Sequence, residues 1–267
     1  MKRAPAVAGQ FYNGTPEALT RQVSQYILDA PKEPVIGALC PHAGLMYSGH
    51  VAGAVYSRIE FPETFVLLGP NHTGLGSAIS LMDEGQWEIP TGVFDIDRVL
   101  AHRIYTHSEG LIEKDSRAHL FEHSIEVQLP FIAYFSTSVK IVPIAIMTAD
   151  LETCHRVAVA IAKAIQQMDY RVTIIASSDM SHYVSDSEAR AIDSLAIDRI
   201  LKLDPEGLYN TVIRKRISMC GYLPATVMLS ASIELGAQKA ELVKYATSGE
   251  VSGDYNYVVG YAGIIVR

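Results

Sequence analysis

The chain has 267 residues, 49% of them hydrophobic, and a formal net charge of −7. That is enough apolar material for a sizeable core without staples, and the acidic balance excludes a nucleic-acid surface, which needs a Lys/Arg face against phosphates. Three scattered cysteines are no disulfide framework, no apolar stretch approaches the roughly 18 residues of a membrane span, and the leading MKRAPAVAGQFYNG lacks the apolar segment of a signal peptide, so a cytoplasmic protein with no membrane and no nucleic-acid partner is expected.

Taken in chain order, TPEALTRQVSQYIL (15–28) has helical periodicity with Thr15 or Pro16 at its start, and VIGAL (35–39) reads as a buried strand. SGHVAGAVYSRI (48–59) is helical and rich in small residues that let it pack closely on a sheet. Strands are expected at TFVLLG (64–69) and AISLM (78–82), then a helix at DIDRVLAHRIYTHS (95–108). FEHSIEVQLPFIAYF (121–135) starts helical and is interrupted near Pro130. VKIVPIAI (139–146) is a strand, LETCHRVAVAIAKAIQQM (151–168) a long helix and RVTIIASSD (171–179) a strand. Three helices follow at 187–203, 205–215 and 223–236, and AELVKYATSG and YNYVVGYAGIIVR close the chain as strands. No linker or fixed-period repeat divides this βα alternation. The expected architecture is one α/β domain over residues 1–267, with a largely parallel central sheet, helices on both faces and antiparallel edges added by the closing hairpin-like pair.

Three of these strands end alike. VIGAL runs into Cys40-Pro41-His42, TFVLLG into Pro70-Asn71-His72, and VTIIAS into Ser178, Asp179 and His182. In a parallel sheet such ends share one edge, where ligands and catalytic groups collect, so these side chains can converge. Neutral imidazole is the commonest metal ligand. Two histidines and a third anionic group would hold a metal and leave coordination positions open, with a further histidine as acid/base and an aspartate to orient it. Cys220, in the Gly/Pro-punctuated turn SMCGYLP, supplies a candidate third ligand, whereas Cys154 and Cys40 read as small buried hydrophobes. A rival signal is HLFEH (119–123), which matches the H-x-x-E-H pattern of zinc peptidases and on a helix would put His119 and His123 on one face beside Glu122.

The chain resembles the MEMO family over essentially its full length. The resemblance rests on PAVAGQFY, PHAGLMYSG, LLGPNH, WEIPTGVFDID, EHSIEVQLPF, SSDMSH and MCGYLP in that order. It implies a fold like that of the class III extradiol dioxygenases, with a non-haem metal site in a cleft at the strand ends. It places His42, His72 and Cys220 at the metal-ligand positions, His182 at the catalytic acid/base position, and Asp179, Glu122 and His123 in the pocket around them. His119 falls outside that pattern. The dioxygenases use a carboxylate where this chain has Cys220; a thiolate favours copper(I) or zinc and alters the redox behaviour of iron, so ring cleavage does not transfer with the fold. The resemblance also implies a small-molecule or peptide ligand and a functional association with a radical-SAM protein. The leading expectation is a metal-binding protein, with iron or copper ahead of zinc, carrying a redox or oxygen-using activity. The alternatives are a non-catalytic peptide- or metal-binding module and a zinc-dependent hydrolase.

Overall fold

In the computed structural model, which describes residues 1–267, the wholly apolar runs of the sequence form the centre of a nine-stranded sheet. The elements are β1 (Lys2–Arg3), α1 (Pro16–Ser24), β2 (Gly37–Cys40), α2 (Leu45–Tyr56), β3 (Thr64–Pro70), β4 (Ile79–Leu81), β5 (Gln86–Ile89), β6 (Gly92–Asp95), α3 (Arg98–His107) and β7 (Glu113–Lys114). Next come α4 (Leu129–Phe135), β8 (Lys140–Ile146), α5 (Leu151–Gln166), β9 (Val172–Ser177), β10 (His182–Val184) and α6 (Asp186–Leu201). The chain closes with α7 (Pro205–Lys215), α8 (Tyr222–Glu234), β11 (Ala240–Thr247), α9 (Gly249–Ser252) and β12 (Val258–Val266).

The sheet order is β10-β12-β2-β9-β3-β8-β4-β7, with β11 also paired to β12. Only the centre matches the expected largely parallel sheet: β2, β9, β3 and β8 run parallel, whereas β12 on β2, β11 and β10 on β12, and β4 on β8 are antiparallel. The sheet is therefore mixed. Connection length explains the split. Helices α2 and α5 carry the long crossovers from β2 to β3 and from β8 to β9 that parallel strands of one sheet require, while β11 returns to its neighbour β12 through the short α9 and pairs antiparallel. Every residue of β2 and β3 is buried, as expected of strands covered on both faces.

Local chemistry sets the helix starts. Thr15 Oγ1 accepts from the Ala18 amide and Pro16 occupies the first turn of α1, where a missing N–H costs nothing. Asp97 caps α3, so that helix begins later than the periodicity from Asp95 suggests, and Gly92–Asp95 pairs instead as a strand. Pro130 does not interrupt a helix; it lies in the first turn of α4, and the residues before it form only a short 3₁₀ turn, Glu126–Gln128. A second sheet, β1-β5-β6, has no counterpart in the sequence reading. Its Trp87 is fully buried beneath the Arg3 guanidinium, 4.1 Å from the ring centroid.

Two glycines let other segments reach the carboxyl ends of the central strands. A Cβ on Gly69 of β3 would meet Ser124 Oγ at 2.5 Å, and one on Gly221 would meet the Ser177 carbonyl at 2.3 Å. The first lies where the 122–125 segment crosses β3, and the second where the Cys220 turn settles on the end of β9.

Candidate metal centre

The parallel registers of β2, β9 and β3 bring the residues that follow them to one edge. His42 and His72 meet there with ring centroids 5.3 Å apart. His123 joins them from the segment crossing β3, 5.5 Å from the His42 ring and stacked at 4.7 Å on His72. One ligand nitrogen from each of the three lies within 4.8 Å of the others, so this trio could hold a metal ion.

Hydrogen bonds decide which nitrogen each ring presents. Ser177 Oγ lies 2.6 Å from the Ser124 carbonyl, so its single proton points there. It also accepts from Gln128 Nε2 at 2.8 Å, an amide whose orientation is set by the Pro41 carbonyl at 3.0 Å and the Tyr56 hydroxyl. With its proton committed, Ser177 can only accept from His42 Nδ1, 2.9 Å away. His42 therefore carries its proton on Nδ1 and presents a bare Nε2. His72 is held in the same tautomer: its Nδ1 lies 2.9 Å from Glu122 Oε1, a carboxylate oxygen that can only accept. Burial, then the neighbouring His123 and His72, push His42 well below the ordinary imidazole value, and burial lowers His123 as well. Burial opposes ionisation of Glu122, but hydrogen bonds from the His72 ring and from the Ser124 and His72 amides hold its carboxyl down at about 2. Imidazoles whose Nδ1 is committed to an acceptor, with an ionised carboxylate behind one of them, are the donor chemistry a metal site needs.

The remaining expected residues are placed as follows. Cys220 stands outside the trio but beside it, its Sγ 3.2 Å from His42 Nε2, and burial pushes its thiol up. Asp179 is buried and accepts from the His42 and Ala43 amides at 2.8 and 3.2 Å, so it shapes the His42 loop rather than orienting His182. His182 is oriented by Ser218, whose carbonyl accepts from Nδ1 at 2.8 Å. The 119–123 segment does not form the helix that the peptidase pattern needs. His119 ends a separate 3₁₀ turn, is wholly buried, and directs Nε2 to the Ser80 carbonyl at 3.1 Å. Cys40 and Cys154 are fully buried. A cavity of about 660 Å³ opens beside the centre, lined by His42, His72, His123, Asp179 and His182 together with Phe11 and several tyrosines. No helix is long and apolar enough to cross a membrane.

The Memo-like protein family profile matches residues 3–265. The chain belongs to that family. It is 46% identical to a MEMO1 family protein of Methanosarcina acetivorans, over 99% of both chains, and 45% identical to one of Methanosarcina barkeri, over 99% of this chain and all of the other. A MEMO1 family protein of Methanocaldococcus jannaschii is 44% identical over 99% of both. Among solved structures, an uncharacterized protein from Escherichia coli K12 shares the fold at a TM-score of 0.54 and 13% identity, covering 87% of this chain and all of its own.

The structure shows why two Memo motifs far apart in sequence work as one. Glu126 of EHSIEVQLPF, wholly buried, accepts from the Arg3 guanidinium at 2.6 Å, the Ala6 and Val7 amides at 2.8 and 3.1 Å, and the Tyr12 hydroxyl. It thereby ties PAVAGQFY to the centre and carries Phe11 against His123, ring centroids 4.6 Å apart. Ser124, Gln128 and Ser177, which set the His42 tautomer, are site residues that sequence reasoning missed. All three lie inside quoted motifs, but nothing in their spacing marks them as hydrogen-bond partners.

Proposed function

We propose that this Memo family member is a metal-dependent protein whose ion is held by Nε2 of His42 and of His72, with Cys220 as the third, thiolate ligand. The observation that supports this most directly is the shared orientation: two separate networks, one through Ser177 and one through Glu122, commit Nδ1 as the donor on both rings, so that Nε2 is the nitrogen each has left to offer an ion. The Cys220 sulfur, 3.2 Å from His42 Nε2, is at a separation that two ligands of one ion adopt. A two-His-one-Cys set suits iron, copper or zinc. When bound, iron or copper would supply a redox couple and open positions for oxygen or a substrate oxygen, the chemistry expected from the likeness to extradiol dioxygenases.

The chain's own residues define the rest of the reading. His182, whose Nδ1 donates to the Ser218 carbonyl, keeps Nε2 for proton exchange with a small-molecule or peptide substrate in the cavity. Asp179 holds the His42 backbone in place. A second reading has its own observation. The compact trio is completed by His123, not Cys220, and a three-imidazole set favours zinc and hydrolysis. Anaerobic titration with zinc and copper(I) of the wild type, Cys220→Ser and His123→Ala separates the two. Loss of affinity in Cys220→Ser alone supports the thiolate site, loss in His123→Ala alone supports the three-imidazole site, and retention of wild-type affinity in His42→Ala removes both.

A further inference from the structure

The cavity beside the histidines differs in charge from the other large ones. Lysine or arginine lines each of the other three: Lys140 in one, Arg199 and Lys202 in another, Arg98, Arg103 and Lys114 in the last. The cavity at the metal centre has neither, and it carries the carboxylates of Asp179 and Asp254. Five aromatic side chains besides its histidines line it.

Two of these aromatics stand far into solvent. Tyr183 and Tyr257 are 72% and 70% exposed, more than any other large apolar or aromatic side chain of the molecule. Tyr183 has a φ of 61°, in the left-handed region, at a register shift where β10 pairs with β12. Such bulges re-aim a side chain, and a non-glycine residue at positive φ is uncommon enough to call for a reason. Tyr257 immediately precedes β12, on the strand that β10 pairs with. Asp254 lies three residues earlier, and its carboxylate makes one hydrogen bond, from the Asn256 amide at 2.9 Å to Oδ1. Aromatic faces with a carboxylate outside any ion pair, and no lysine or arginine among the lining residues, are the recognition chemistry of an organic cation.

We infer that this cavity takes a ligand carrying a quaternary ammonium or guanidinium group, held by the faces of Tyr183 and Tyr257 with Asp254 as counter-charge. This rests on reading the cavity as the substrate site of the proposed metal centre. It adds that the substrate's far end is cationic, and that its near end reaches the histidines.

The test compares choline with 3,3-dimethyl-1-butanol, its uncharged carbon isostere, by calorimetric titration of the protein as purified, with metal content measured alongside. The quaternary nitrogen has no lone pair, so it cannot bind an ion and the comparison reads the cavity wall. Choline is expected to bind about tenfold more tightly than the isostere. Tyr183→Leu and Tyr257→Leu keep apolar area while removing the ring face, and each should cut that ratio about threefold; Asp254→Asn should also reduce it. A ratio near one in the wild type, or an unchanged ratio in all three variants, overturns the inference. A short trimethyllysine peptide run in parallel names the source: tighter binding than choline assigns a peptide-borne cation, and weaker binding a free small molecule. Failure of His42 and His72 to bind metal in the separate titration would sink the metal reading and leave the choline ratio to stand or fall by itself.

Discussion

Cys220 Sγ lies 3.2 Å from His42 Nε2, the nitrogen that Ser177 leaves without a proton. The thiol is thus the nearest group able to deliver an anion to whatever that nitrogen binds. Burial raises its pKa, so if Cys220 is a ligand as proposed, metal uptake at neutral pH releases the thiol proton. Cys220→Ser keeps the shape and removes the soft donor. The expected outcome is a loss of at least about tenfold in zinc or copper(I) affinity with a melting temperature close to wild type. Chelator competition and thermal melting on the same variant check it; unchanged affinity with a lowered melting temperature would make Cys220 a packing residue.

Ser177→Ala removes the acceptor that holds the His42 tautomer. Groups of this kind behind a metal ligand are worth on the order of 10–100-fold in affinity. The variant should bind zinc within that range more weakly. It should also lose about 1–3 kcal/mol of stability, because the Ser124 carbonyl loses its donor. Nitrogen NMR of the imidazoles gives a direct readout: a single Nδ1–H form for His42 in wild type, a mixture in the variant. A single unchanged tautomer would show that Ser177 does not set it.

The Arg3–Glu126 pair, 1% and 0% exposed, should be costly to break from either side. Arg3→Met or Glu126→Gln leaves a buried charge or buried donors without a partner and is expected to cost about 3–5 kcal/mol in urea unfolding. The double variant should cost clearly less than the two singles added together. Additive losses would mean that the two side chains act independently.

His119 gives a pH signature. Burial first, and the Arg3 charge second, lower its pKa from 6.5 to about 4. A depressed histidine stabilises the native state above its unfolded value. That contribution is lost as pH falls, because the unfolded chain takes up a proton near 6.5 while the folded one resists until about 4. Between pH 7 and 4 the wild type should therefore lose on the order of 3 kcal/mol more unfolding free energy than His119→Asn. Parallel urea curves at the two pH values, with equal losses, would contradict this.

Strand-end polarity was the most legible feature. His42, His72 and Asp179 could be assigned to one edge because an apolar run followed by a Pro or Ser turn is a local signal. The parallel centre was legible for the same reason, and so was the antiparallel closing pair β11–β12; the antiparallel seats of β12 on β2 and of β4 on β8 were not, since pairing direction depends on where a strand returns. The 119–126 segment misled for a physical reason. Its helical spacing is real, but Glu122 bonds His72 and Glu126 bonds the N-terminal segment across more than a hundred residues, and these contacts override propensity. Placing His123 inside the trio needed that same crossing, which Gly69 permits. The β5–β6 hairpin escaped because its strands, QWEI and GVFD, are not the continuous buried apolar runs that mark β2 and β4.

The antiparallel seat of β12 against β2, Val266 opposite Gly37, sets an order on synthesis. The β2 strand leaves the ribosome about 220 residues ahead of β12, the strand that one of its flanks is destined for. At about 5–20 residues per second that flank waits on the order of ten to forty seconds before its neighbour exists. Through that interval its unpaired amides and carbonyls are a template for any other extended chain nearby. An open β2 flank through that interval is thus a property of the topology itself rather than of any one residue.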